Sequence, residues 1–168
     1  MTSEKLFLLV TVYGSRFTAN GVSEMLEVRE MSREEITRLM ERGWYGHLGC
    51  SRDGHPYVVP LSYAYDKGDL YFFTTEGTKT EFIAANHEVC FQVEEVEGPD
   101  RWQSVMLTGR AELLSETAEV EHAMLLVSER NPSLSPALSR TRIGAWTRLS
   151  RIALYRLRPV AAYGRRTA

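Results

Sequence analysis

Apolar and polar residues alternate most cleanly in "WQSVMLTGRAELL". Val105, Leu107, Ala111 and Leu113 fall on one side, and Met106, Thr108, Arg110 and Glu112 on the other. A period of two marks a strand with one buried face. "WYGHLGCS", "PYVVPLSYAY", "LYFFTT" and "EVCFQVEEV" read the same way, as does "RIALYRLRPVAAYG", which offers Ile152, Leu154 and Leu157 to a core. Asp53-Gly54 and Lys67-Gly68 separate the first three of these runs and predict tight hairpins. Pro60 interrupts the second run and predicts an edge, a bulge or a ligand-lined stretch there.

Three segments carry helical spacing instead. In "MSREEITRLMERG", Ser32 with Glu35 makes a capping box, Met31 with Ile36 a hydrophobic staple, and Gly43 suits the position just past the end. "TKTEFIAAN" predicts a short helix opened by a second capping box, Thr78 with Glu81. From about Thr117 to Arg130, Val120, Ala123, Met124 and Val127 recur at i, i+3, i+4, i+7 before "NPSLSP" ends the helix. That helix reads as structural, with Glu119 and Glu121 exposed. Six or so antiparallel strands with helices at the start, in one crossover and near the end predict a mainly β (α+β) fold, a β-barrel with helical decoration. The chain of 168 residues reads as one domain over 25–168, with residues 1–24 as an N-terminal extension outside the core.

Composition is that of an ordinary globular protein and excludes disordered and fibrous classes. No apolar run approaches the roughly 18 residues needed to span a bilayer, and "LFLLVTV" is a weak signal peptide. Two cysteines, Cys50 and Cys90, favour a reducing cytoplasm over a disulfide framework. The net charge of −2 conceals a division: Arg140 onward holds eight arginines and no acid, so the first 139 residues carry 12 basic against 22 acidic side chains. A basic tail packed beside an acidic body explains this most simply. The alternatives are an anionic ligand or nucleic acid, the latter disfavoured because no aromatic-interleaved basic stripe accompanies the arginines.

His47-x-x-Cys50 and His87-x-x-Cys90 suggest zinc by composition. Residues three apart in a strand face opposite sides, so neither pair closes on one ion, and both cysteines read as small buried hydrophobes. No G-x-S-x-G elbow, Walker sequence or G-x-G-x-x-G is present. What remains is "TTEGTKTE". Capping requires one hydroxyl, yet Thr74, Thr75 and Thr78 gather with Gly77 and Lys79 where a strand becomes a helix. Free N–H groups and the helix dipole favour an anion at that place. The segment reads either as a capped turn with Lys79 in solvent or as a phosphate seat.

The ordered motifs from "GHLGCSRDGHPYVVPLSYAYDKGDLYFFTTEGTKTEF" to "RWQSVMLTGRAELL" resemble the FMN-binding split β-barrel proteins related to pyridoxamine 5′-phosphate oxidase, and among them the NimA-like branch associated with nitroimidazole reduction. The resemblance covers about residues 31–115 and, more loosely, the final strand. It implies a homodimer with FMN at the subunit interface. Thr74, Thr75 and Lys79 inherit the phosphate, with Gly77 and Thr78 admitting backbone N–H groups. Val59, Pro60, Leu61, Ser62 and Tyr63 match the strand along the flavin ring and ribityl chain. Trp102, Gln103 and Ser104 match a second contact strand. The chain departs from the oxidase pattern at Val59, where that pattern has arginine, and at Thr78-Lys79, where it has two basic residues. Vitamin B6 oxidation is therefore disfavoured, and a tail arginine is a candidate for the missing phosphate charge.

The implied chemistry is flavin redox: electrons from a reduced nicotinamide pass through FMN to a small acceptor of nitroaromatic or quinone type. The ring supplies the chemistry and the protein positions it, so no catalytic acid or base is named. Alternatives are a non-enzymatic flavin-binding protein, a member of the same fold using the deazaflavin F420, and a haem-binding relative with His47, His55 or His87 as axial ligand.

Overall fold

The computed structural model describes residues 15–17, 23–130 and 152–168. Nine strands and three helices are described. They are β1 (Ser15–Phe17), β2 (Ser23–Met25), β3 (Val28–Glu30), α1 (Arg33–Arg42), β4 (Tyr45–Arg52), β5 (His55–Asp66), β6 (Asp69–Thr75), α2 (Thr78–Ala85), β7 (Glu88–Gly98), β8 (Arg101–Leu113), α3 (Thr117–Arg130) and β9 (Ile152–Thr167). β1 and β2 pair only with each other. Most of the expected extension, residues 1–24, lies outside the described residues.

The other seven strands run in the order β3-β9-β6-β5-β4-β7-β8, all antiparallel, and β8 pairs again with β9. That second pairing closes six strands into a barrel and leaves β3 as a short addition at the end of β9. Closure depends on the length of β9. Its first part meets β6, from Ile152 opposite Thr75 to Leu157 opposite Leu70. It then meets β8 from Tyr155 opposite Leu113 to Arg166 opposite Gln103. Midway, Thr108 opposes Ala161 while Gly109 opposes Pro159, so Val160 is bulged out. A Cβ on Gly109 would collide with the Arg158 carbonyl, which is why the bulge faces a glycine.

Both predicted hairpins form. Asp53 and Gly54, then Lys67 and Gly68, all have positive φ, the requirement of a two-residue turn whose twist matches its strands. Inside the barrel Phe72 stacks on Tyr155 at 5.3 Å, and Tyr63 meets Phe91 edge-on at 5.3 Å. α1 covers this core with Ile36, Leu39 and Met40, and its Ser32–Glu35 capping box forms as expected. Tyr63 donates its hydroxyl to the Met40 carbonyl at 3.0 Å, tying helix to barrel, and burial pushes its pKa up.

α3 lies outside the barrel, where Ala123 and Val127 pack on Ala64, Tyr71, Leu114 and Leu154. This second cluster explains the loss of alternation in β6, whose Leu70, Tyr71 and Phe72 are all buried: both of its faces are covered. It also corrects the reading of β8. Leu113, expected in the core, is 59% exposed, and Leu114, one residue beyond the strand, is buried under α3 instead. Glu119 is corrected too: it pairs with Arg156 at 2.9 Å rather than standing free.

The basic tail is partly neutralised within the chain, as the charge division suggests. Arg156 binds Glu112 and Glu119, Arg158 approaches Glu112 at 3.5 Å, and Arg166 approaches Glu35 at 3.3 Å. The tail arginines Arg140, Arg142, Arg148 and Arg151 lie outside the described residues. His47 and Cys50 sit on opposite faces of β4, Cys50 buried inside and His47 half-buried outside, as the strand period requires.

Candidate functional site

At the β6–α2 junction the chain leaves the barrel through Thr74, which is buried, and Thr75, which is half-buried. Thr74 donates its hydroxyl to the Thr75 carbonyl at 3.2 Å. Gly77 follows with φ of +156°, a conformation L side chains rarely adopt, and a Cβ placed there would meet nothing within 4 Å. The backbone at the head of α2 is therefore open to approach. The first helical bond runs from Glu81 N–H to the Gly77 carbonyl, so the N–H groups of Thr78, Lys79 and Thr80 have no intrahelical acceptor.

The expected Thr78–Glu81 capping box does not form. Gly77 is the N-cap, and Thr80 does the capping: its hydroxyl accepts from the Gly77 N–H at 2.9 Å and donates to the Gly77 carbonyl at 2.7 Å. The physical reason is register. The helix begins one residue earlier than Thr78 needs for a cap, and glycine, with no hydroxyl of its own, is served from within the first turn. This frees the exposed Thr78 hydroxyl. Lys79 is half-buried and takes no ion pair or hydrogen bond among the described residues. The nearby Arg52 is engaged: its guanidinium lies 4.8 Å above the Phe82 ring and 3.7 Å from Glu81.

β5 supplies the neighbouring surface. Its ladder with β4 runs from Tyr45–Ser62 to Arg52–His55, whereas its ladder with β6 stops at Tyr63–Phe72. Residues 55–61 thus have one paired edge and one edge unpaired by β6, facing the side on which Thr74 and Thr75 depart. Tyr63 N–H donates to the Trp44 carbonyl at 2.9 Å. The two-residue period then turns the N–H groups of Leu61 and Val59 to β4 and the Pro60 nitrogen to the open edge, where its missing donor costs no ladder bond. Pro60 is exposed, Ser62 half-buried, and Val59 and Leu61 lean on the core. Tyr63 belongs to the core by both its ring and its N–H.

The third stretch lies elsewhere in the protomer. Trp102 N–H donates to the Thr167 hydroxyl at 3.2 Å. Gln103 donates to Glu95 at 2.7 Å, and Arg42 clamps the same carboxylate with two bonds of 2.7 Å, holding its pKa below the usual range. Ser104 Oγ accepts from the Gln92 amide at 3.3 Å. A small cavity of about 140 Å³ lies between Trp102, Gln103, Arg166 and Thr167. Register places it relative to the first two parts: Pro60 opposes His47, His47 opposes Gln92 and Gln92 opposes Met106, so β8 lies three strands from the open edge of β5. One protomer therefore sets Thr74–Lys79 beside the open edge of β5, with Trp102–Ser104 three strands away across β4 and β7.

The chain's residues 32–166 match the family described as pyridoxamine 5′-phosphate oxidase. The protein belongs to that family. A crystal structure of an FAD-binding protein from Mesorhizobium loti shares 30% identity with this member, covering 84% of this chain and all but 1% of the other, at a TM-score of 0.64. A candidate 5-nitroimidazole antibiotic resistance protein from Bacteroides thetaiotaomicron has the same fold at 19% identity and a TM-score of 0.67, over 84% of this chain and 89% of its own. An uncharacterised protein of Rhizobium meliloti is 38% identical over 95 residues, a stretch covering 56% of this chain and 63% of that relative. The family and fold expected from the ordered motifs are thus those found.

Two features of this site escape sequence reasoning. Thr80 was legible only as a helix residue, although Gly-x-x-Thr is the signal that a glycine cap served from the first turn leaves. The open β5 edge has no local signal beyond Pro60, because it depends on where β6 turns away.

Proposed function

We propose that this pyridoxamine 5′-phosphate oxidase family member is an FMN-binding oxidoreductase, taking electrons from a reduced nicotinamide and passing them to a small acceptor of nitroaromatic or quinone type. The observation that carries the reading is the head of α2. A Lys79 without a partner among the described residues, a Thr78 hydroxyl spare from capping and three N–H groups without intrahelical acceptors gather beside an open backbone. These donors fit a phosphate monoester, which needs several donors and a cation at a helix N-terminus. The adjoining edge of β5, at Pro60 and Ser62, fits the flat polar rim of a flavin. When bound, FMN would supply the redox chemistry. The chain's own contribution is to hold the phosphate, fix the ring against β5 and exclude water on the barrel side through Val59 and Leu61.

A homodimer belongs to this reading. Trp102, Gln103 and Ser104, three strands from the open edge of β5 in one protomer, would reach the cofactor from a second copy. The outer sheet face supports such pairing. Val58 and Val160 are 63% and 76% exposed and flank an apolar groove of about 420 Å³ over Gly49, Cys90 and Thr108.

FAD is a second reading, favoured by the 30% identical relative named for it. The visible absorption spectrum of the purified protein, followed by mass identification of what denaturation releases, tests both. A released mass of FMN supports the first reading and of FAD the second, while F420 or haem would overturn both. Oxidation of NADH or NADPH dependent on a quinone or nitroaromatic then separates an enzyme from a flavin carrier.

A further inference from the structure

Trp44, Tyr45 and His47 form a chain of touching rings on the outside of β4. Trp44 and Tyr45 lie 5.6 Å apart between centroids, and Tyr45 meets His47 edge-on at 5.7 Å. Trp44 is 55% exposed and Tyr45 44%. Tyr45 opens β4 and Trp44 stands one residue before it, ahead of the stretch from His47 to Gly49 that pairs with β7, and two large rings left this open are not serving the core. Their place is specific. Tyr45 stands directly opposite Ser62 and His47 directly opposite Pro60. The bond from Tyr63 to Trp44 makes 47–60 a non-hydrogen-bonded pair, the closer of the two antiparallel pairings, so the His47 and Pro60 side chains are neighbours on one face. His47 makes no hydrogen bond among the described residues.

We propose that Trp44, Tyr45 and His47 form the subsite for the electron acceptor, a planar aromatic molecule bearing an oxygen acceptor such as a quinone carbonyl or a nitro group. This rests on the flavin reading of β5, which would put the cofactor one strand away from the rings. The tilted and edge-on packing of the three rings leaves ring faces free for offset stacking, the arrangement a planar partner prefers. The imidazole, without a hydrogen-bond partner among the described residues, supplies a donor for a quinone or nitro oxygen. Arg42, the cation nearest in sequence, is held by Glu95, so what the subsite offers a ligand is ring faces and the imidazole.

The test is a titration of the full-length protein with a water-soluble planar quinone, anthraquinone-2-sulfonate, followed by tryptophan emission with and without added FMN. Saturable quenching is expected, carried mostly by Trp44, so Trp44→Phe should remove most of it despite the remaining Trp102 and Trp146. Tyr45→Ala and His47→Ala should each weaken binding about 3- to 10-fold, the worth of one stacking or hydrogen-bonding partner. Equal affinity in both variants, or unchanged quenching in Trp44→Phe, overturns the proposal. So does conversion of a dimer to a monomer by Tyr45→Ala on size-exclusion chromatography, which would make the rings a protomer contact. FMN binding, read from flavin fluorescence in the same samples, is a separate arm. If FMN fails to bind the unmutated protein while the quinone still saturates, the flavin reading falls and the patch stands as an aromatic-ligand site.

Discussion

The hydroxyl oxygen of Thr80 lies 2.9 Å from the Gly77 nitrogen and 2.7 Å from the Gly77 carbonyl oxygen, so one side chain closes both ends of the turn that opens α2. Stability and ligand binding thereby fall to different threonines. Thr80→Ala should cost about 1 kcal/mol, as loss of a capping hydroxyl does, and lower Tm by roughly 2–4 °C. Thr78→Val should leave Tm unchanged and weaken FMN binding. Thermal melts with flavin titrations on both variants check this, and the reverse pattern would return the cap to Thr78.

Lys79 is the cation at this helix start without a described partner, in contrast to Arg52, which is spent on Phe82 and Glu81. Lys79→Ala should weaken FMN by roughly 1.5–3 kcal/mol, the worth of a charge-assisted contact, with little change in Tm. Flavin affinity equal to that of the parent protein would place Lys79 in solvent.

Glu35 gathers Arg29 at 2.6 Å, the Ser32 N–H at 2.9 Å and Arg166 at 3.3 Å, joining β3, α1 and the end of β9. The hydrogen bond from Arg29 and then that from Ser32 hold its pKa down to about 2 from an ordinary 4.5. A carboxyl depressed on folding contributes stability that is fully present above pH 4.5 and is lost as pH falls towards 2. Glu35→Gln should therefore lower stability at pH 7 and flatten its decline between pH 4.5 and 2. Denaturant melts of both proteins across that range would show it, and parallel curves would refute the assignment.

Arg156, with its side chain only 14% exposed, ties Glu119 of α3 to Glu112 of β8. Glu119→Ala should cost about 0.5–1 kcal/mol, discounted because that carboxylate is half in water, and Glu121→Ala should fall within about 0.5 kcal/mol of the parent. Arg156→Ala should cost more than either, since it leaves two carboxylates facing each other. Chemical denaturation of the three variants measures the order.

Much of the molecule was legible from local pattern. The hairpins at Asp53-Gly54 and Lys67-Gly68 follow from the positive φ their turns demand, and the Ser32–Glu35 box follows from one hydroxyl and one carboxylate at fixed spacing. The short β3 was missed because three residues carry too little periodicity to register. Leu113 and Leu114 exchanged places because alternation tells which residues share a face but not which further element, here α3, covers the strand's end. Thr78 was misassigned as a cap because two threonines two residues apart offer the same chemistry, and only the backbone decides which one the helix start can use.

The sequence by itself determined the strand and helix types, the hairpins, the position of the cationic helix start and the family, because each is written in neighbouring residues. Tertiary structure decided the rest. It showed that β9 is long enough to pair on two sides and close the barrel, that β6 leaves β5 after Phe72 and opens an edge at Pro60, and that β4 and β7 lie between that edge and Trp102–Ser104. These are relations between residues distant in the chain, fixed by ladder register and by which faces find cover. No local pattern encodes them.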